Sequence, residues 1–155
     1  MKVVIEAEQK KIVTVLKIKP RIVFLITEDW YFWSHRLHLA KAASDAGFEV
    51  IVAARVHKHK ELIEMEGFKL IPIRMERRSI NIFYEILNII EIIKIYRKER
   101  PDIVFHVTIK PILYGSWAAR IVGIPYIVNA YAGLGFMFIA KGWRVSIIRY
   151  IVRII

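Results

Sequence analysis

The stretch Pro101–Gly115, PDIVFHVTIKPILYG, decides the fold. Asp102 to Phe105 is a short apolar run; His106, Thr108 and Lys110 then alternate with apolar residues as far as Pro111. A helical pattern follows from Ile112 to Val122. The spacing predicts a buried parallel strand over 102–105 whose carboxyl end delivers polar side chains into a crevice, then a returning helix. In open α/β sheets, ligands sit at that end of the strands.

The same grammar repeats outward from this stretch. Arg21–Thr27 (RIVFLIT), Glu49–Ala54, Phe68–Ile73 and Pro125–Asn129 are further apolar, strand-like runs. Between them, Leu37, Leu39, Ala40, Ala43 and Ala46 form a helical face that stops at Gly47, and His57–Gly67 is a shorter helix. Ile80–Arg100 has the clearest helical period, with Ile82, Phe83, Ile86, Leu87, Ile89, Ile90, Ile93 and Ile95 on its apolar side. Gly115, Ser116, Ala118 and Ala119 give the next helix a small-residue face for close packing, and Gly142–Ile155 reads as a basic amphipathic helix. Glu28–Arg36 is expected to be a loop. It has no glycine-rich phosphate motif, which argues against a dinucleotide cofactor. The expectation is an α/β domain: a Rossmann-like parallel sheet of about five strands with helices on both faces, over residues 21–155. Residues 1–20 form an N-terminal extension or an edge strand.

The 155-residue chain is long enough for one domain with a real core. It has no cysteine, so disulfides and thiolate metal sites are excluded, and its five histidines lack ligand spacing. No metal and no bound cofactor are expected. A net charge of +11 with 56% hydrophobic residues points to an anionic membrane face or a nucleic acid. The basic residues are scattered rather than laid in a stripe with aromatics, which favours the membrane and leaves nucleic-acid binding last. Ile121–Ala140 is uncharged and long enough to span a bilayer, but Gly123, Pro125, Asn129, Gly133 and Gly135 divide it into a strand and an apolar loop. Charges recur through the first twenty residues, and no signal peptide is visible there.

Three segments carry a family resemblance: EDWYFWSHRLHLAKAASDAGFEV (28–50), RRSINIFYEILNI (77–89) and ERPDIVFHVTIKPILYGSWAARIVGIPYIVNAYAGLGFMF (99–138). With the strand-end pattern H-x-T-x-K-P-x-x-Y-G and the A-G-L-G-F loop, the chain resembles the N-terminal domain of GT-B glycosyltransferases. The closest group is the family 4-like retaining enzymes of bacterial surface polysaccharide and lipid-linked oligosaccharide assembly. The resemblance implies the acceptor-binding half of a transferase at the cytoplasmic membrane face, acting on a lipid-linked sugar. The nucleotide-sugar donor would be held by a C-terminal domain absent from these residues. An alternative is a non-catalytic membrane-anchoring subunit paired with a separate donor-binding chain. The fragment alone is expected to be inactive.

Site expectations follow from the resemblance and from residue chemistry. His35 matches a cleft-facing histidine of the family and suits proton transfer to or from an acceptor hydroxyl. Asp29 is the carboxylate set beside it as a second catalytic candidate. Glu28, Arg36, His106, Thr108 and Asn129 are candidates for holding the sugar, Lys110 for meeting a pyrophosphate, and Gly133 and Gly135 for close backbone approach. Arg74, Arg77, Arg78, Phe136, Phe138, Trp143 and Arg144 are expected to touch the membrane. The reading requires His35, Lys110 and Asn129 to meet at a single groove.

Overall fold

The computed structural model describes residues 19–77 and 81–131. Five parallel strands run through it: β1 (Arg21–Glu28), β2 (Glu49–Arg55), β3 (Lys69–Pro72), β4 (Ile103–Val107) and β5 (Tyr126–Ala130). The helices are α1 (Asp29–His35), α2 (Leu37–Asp45), α3 (Lys60–Met65), α4 (Ile82–Glu99) and α5 (Ile109–Val122). The sheet order is β3-β2-β1-β4-β5. The chain therefore builds outward from β1 in one direction, then jumps back and builds in the other. The point of reversal lies between β1 and β4, and it is at such points that crevices open beyond the carboxyl ends of the strands.

β1 is buried along Ile22–Thr27, as its unbroken apolar run requires. Successive side chains alternate between faces. Ile22, Phe24 and Ile26 join one core with Phe32, Ala40 and Ile63 from α1, α2 and α3. Val23 and Leu25 join the other with Ile92 and Tyr96 of α4 and Ala118 and Ala119 of α5.

Three local features depart from the sequence reading. Glu28–Arg36 is not a loop: β1 passes directly into α1. Phe32 drives this, packing edge-on against Phe24 at 6.0 Å and Phe68 at 6.4 Å with no exposed surface. Burying such a side chain contributes roughly 2–3 kcal/mol. Secondly, β4 runs on to Val107, so His106 lies within the ladder, opposite Leu25 of β1 and Asn129 of β5. α5 begins at Ile109, which puts Lys110 in a first helical turn; Pro111 is tolerated there because first-turn amides lack helical acceptors anyway.

The third departure is α4. Its inward stripe is Glu85, Asn88, Ile92, Tyr96 and Glu99, whereas Ile82, Phe83, Ile86, Leu87 and Ile90 face outward. The helical period is as expected, but the buried face in the N-terminal half is the polar one. Glu85 is held inside by the Lys110 ammonium at 2.6 Å, by Asn88 Nδ2 at 3.2 Å and by the Tyr114 hydroxyl. A buried carboxylate is tolerated when it is paired and hydrogen-bonded in this way. Residues 121–131 comprise the end of α5, a turn at Gly123 and β5, as the strand reading of that apolar run required. Among the described residues, no helix is long and apolar enough to cross a membrane.

Candidate functional site

A cleft of about 320 Å³ opens at the reversal point, lined by Ile26, Thr27, Glu28, Trp30, Tyr31, His35, Arg77 and Thr108. β1 supplies its floor, α1 its aromatic wall, and the β4–α5 junction its far edge. The hydroxyls of Thr27 and Thr108 lie 3.0 Å apart and link the ends of β1 and β4. Thr108 has φ 74° and ψ 165°, a region essentially restricted to glycine. A β-branched residue there is strained. The strain is sustained by the Thr27 contact, by the Thr108 amide donating to the Ala130 carbonyl at 3.3 Å, and by the Thr108 carbonyl accepting from Ile112 at 3.1 Å.

His35 is oriented by its neighbours on α1. Its ring stacks on Tyr31, with centroids 4.4 Å apart and planes 6° from parallel. Ser34 Oγ donates its proton to the Trp30 carbonyl at 2.8 Å and lies 2.6 Å from His35 Nδ1. A hydroxyl has a single hydrogen to give, so Ser34 must accept from Nδ1–H. In the neutral ring Nε2 then carries the lone pair, and it can accept a proton from a substrate hydroxyl. Glu28, at the mouth of β1, accepts from His57 Nε2 at 2.7 Å, which joins the cleft edge to the β2–α3 connection.

Other expected site residues are placed elsewhere. Asp29 is fully buried and accepts from the backbone amides of Trp30 (2.7 Å), His57 (2.7 Å) and His59 (3.0 Å). Burial alone would raise its pKa, but these three amides, with His59 nearby, hold the carboxyl below its ordinary value. It ties α1 to the β2–α3 connection and does not line the cleft. Arg36 sits at the α1–α2 junction, where its Nη1 donates to the His35 carbonyl at 3.1 Å, and it does not line the cleft.

His106 is also fully buried. The Tyr96 hydroxyl, kept protonated by its burial, donates to His106 Nε2 at 2.9 Å, and His106 Nδ1–H donates to Asn129 Oδ1 at 2.8 Å. Burial pushes the imidazole down to about pKa 4, against an upward pull from Asn129. Ser116 Oγ completes the network by donating to Asn129 Oδ1 at 3.3 Å. The ring lies so close to α5 that a Cβ on Gly115 would stand 2.6 Å from His106 Nε2 and 2.8 Å from a Leu25 methyl. His106 and Asn129 thus link β4, β5, α4 and α5, and neither lines the cleft. Lys110 is spent on Glu85 and on the Glu76 carbonyl, the latter at 2.8 Å.

Of the three residues expected to meet, His35 alone lines the cleft, so the single groove of His35, Lys110 and Asn129 is not formed; Thr27, Arg77 and Thr108 stand beside His35 in their place. Glu28 and Thr108 join it as expected. Arg77, expected at the membrane, lines the cleft, and Arg74 is exposed. Arg78, Gly133, Gly135, Phe136, Phe138, Trp143 and Arg144 lie outside the described residues. Thr27, Trp30 and Tyr31 were not anticipated as lining residues. The available signal was that they bracket the end of β1, beside Glu28. Among the described residues, no group of three or more histidine and acidic side chains is arranged to hold a metal ion.

A cleft at the reversal point of a five-stranded parallel sheet, edged by a histidine, an arginine and two threonine hydroxyls, defines a Rossmann-like binding unit of the kind paired in GT-B enzymes. Residues 21–154 match the family described as glycosyl transferase 4-like. The chain belongs to that family, which bears out the resemblance seen in residues 28–138. It is 26% identical, over 132 residues, to the N,N'-diacetylbacillosaminyl-diphospho-undecaprenol alpha-1,3-N-acetylgalactosaminyltransferase of Campylobacter jejuni. That match covers 85% of this chain and 35% of the relative, so the chain spans about a third of the relative's length. Among solved structures, a glycosyltransferase from Rickettsia africae superposes with a TM-score of 0.59 at 17% identity, covering 78% of this chain and 33% of that one. The UDP-GlcNAc 2-epimerase of Methanocaldococcus jannaschii superposes with a TM-score of 0.53 at 19% identity, over 86% of this chain and 36% of that one. At such identities the likeness is one of fold, and the epimerase shows that the fold alone does not select a reaction.

Proposed function

We propose that this chain is the acceptor-binding half of a glycosyltransferase that moves a sugar from a nucleotide-sugar donor onto a lipid-linked acceptor at the cytoplasmic face of the membrane. The donor would be held by a second unit, either further sequence of the same protein or a separate subunit. The observation that carries the reading is the His35 ring, fixed by Ser34 and Tyr31 with Nε2 as its basic nitrogen, in a cleft that also holds Arg77 and the Thr27–Thr108 hydroxyl pair. Family membership and the name of the Campylobacter relative support the reaction class and the lipid-linked acceptor.

In this reading the acceptor sugar enters over Tyr31 and Trp30, whose rings suit an apolar sugar face. Thr27, Thr108 and Glu28 hydrogen-bond its hydroxyls, and Arg77 meets the diphosphate as a planar, permanently charged donor. His35 Nε2 accepts the proton of the attacking hydroxyl. The rest of catalysis is positioning and charge stabilisation in the cleft. The test is sugar transfer from a nucleotide sugar to an undecaprenyl-diphosphate-linked acceptor, with the donor-binding unit present. His35→Ala should lower kcat/KM by about 10²–10⁴-fold, and His35→Gln should not restore it. Transfer by His35→Ala at the unaltered rate would remove the histidine from the chemistry.

A further inference from the structure

Arg77 lies on a segment without regular structure, between the end of β3 at Pro72 and the start of α4 at Ile82. A long side chain on such a segment keeps one place in a cleft only if the backbone beneath it is held. The first part of the segment is held by the core. The Ile73 amide donates to the Ala54 carbonyl at 3.1 Å, Ile73 and Met75 are buried, and the Arg74 amide donates to Glu91 Oε2 at 3.0 Å. Beyond Met75 the anchors are side chains. Lys110 Nζ donates to the Glu76 carbonyl at 2.8 Å, and Arg55 lies 3.4 Å from the Glu76 carboxylate.

The geometry points to Lys110 as a positioning residue: it acts through the Glu76 carbonyl to set Arg77 in the cleft, and it does not itself bind the diphosphate. That Arg77 meets a diphosphate rests on the proposed function; that Lys110 places Arg77 does not. Three observations carry the inference. The first is peptide planarity. The Glu76 carbonyl oxygen and the Arg77 amide and Cα belong to one rigid unit, so a bond that fixes the oxygen fixes the point from which the Arg77 side chain starts. The second is the other end of Lys110. It stands in the first turn of α5, two residues after Thr108, which lines the cleft. One side chain therefore joins the β4–α5 edge of the cleft to the segment that bears Arg77. The third is that the ammonium is committed. Nζ lies 2.6 Å from Glu85 Oε1, with the two side chains only 18% and 10% exposed, and Glu85 is held in turn by Asn88 and Tyr114. Swinging Lys110 towards a ligand would strand that carboxylate. Arg55 is the weaker anchor, because its pair with Glu76 is 38% and 57% exposed and exposed ion pairs contribute little.

The test uses the variant Lys110→Met/Glu85→Gln, because Lys110→Met alone leaves Glu85 buried without its cation and endangers folding. One cation and one anion are lost together, so net charge is unchanged, and the new amide can still bond Asn88 and Tyr114. Nitrogen-15 relaxation of the backbone amides and calorimetric binding of inorganic pyrophosphate are measured on the 155-residue chain, with circular dichroism expected to stay as in the parent. Order parameters at Glu76 and Arg77 should fall from about 0.85 to about 0.6 or less, while those of Thr27 and His35 hold. Pyrophosphate affinity should drop about three- to tenfold, the cost of ordering one long side chain on binding. In an Arg77→Gln background the same pair of changes should cost less than about twofold, because the two residues act as one unit. Unchanged order at Arg77 would overturn the inference. So would an equal loss of affinity in both backgrounds, since Lys110 would then act on the ligand without Arg77. If Arg77 loosens as expected but no form of the chain binds pyrophosphate, the diphosphate contact of the proposed function fails and the positioning role stands.

Discussion

His106 was the most prominent polar residue of the strand-end pattern, yet it works as an internal strut. Its pKa of about 4 in the folded chain, against 6.5 when exposed, fixes the sign of a pH effect. Between these values the unfolded chain binds the proton and the folded chain does not, so stability is complete above pH 6.5 and falls as pH drops towards 4. The loss attributable to His106 should reach roughly 3 kcal/mol. Asp29 and Glu85, both held below their ordinary values, add losses of the same sign that set in at the acid end of this window and continue beneath it. Urea unfolding at several pH values should show the decline, and His106→Gln should flatten it between pH 6.5 and 4; an equally steep slope in that variant would place the titration elsewhere. Thr108 makes a second claim at this scale. Its backbone lies in a glycine-only region, so Thr108→Gly should be less destabilising than Thr108→Ala. The alanine loses the hydroxyl contact to Thr27, worth about 1 kcal/mol, and keeps the strain, worth about 1–3 kcal/mol; the glycine loses the contact but relieves the strain. Denaturation midpoints in which alanine outranks glycine would contradict that backbone conformation.

At the scale of elements, the parallel strands and their order of appearance were legible because continuous apolar runs such as RIVFLIT have no other use than a sheet covered on both faces. What could not be read was which of two helical faces turns inward. In α4 the isoleucines and Glu85 share one period, and hydrophobicity alone assigns the isoleucines to the core. Lys110, twenty-five positions on, reverses this by supplying the cation that lets Glu85 go inside. α1 was missed for a related reason. DWYFWSH has no strong helical signature of its own and takes its form from Phe32 docking against Phe24 and Phe68. The gathering of residues at one cleft was legible where it depended on the end of a strand, as with Glu28 and Thr108; His35 reaches the same cleft from the end of α1. Residues fell outside the cleft where alternation was extended past the strand, as with Lys110, or where a polar side chain joined an internal network, as with His106 and Asn129.

For the molecule as a whole, two properties stand together: a cleft at the sheet's reversal point and an exposed apolar face on the N-terminal half of α4. Net charge of +11 and high apolar content suggested a membrane from composition alone. The account turns on whether the head group of a lipid-linked sugar occupies that cleft. The most direct measurement is a backbone-amide NMR titration of the chain with a soluble sugar diphosphate. The account predicts saturable shifts concentrated in Thr27–His35, at Arg77 and around Thr108, with His106 unmoved in its protonation. No saturable shifts, or shifts clustered away from the ends of β1 and β4, would contradict it.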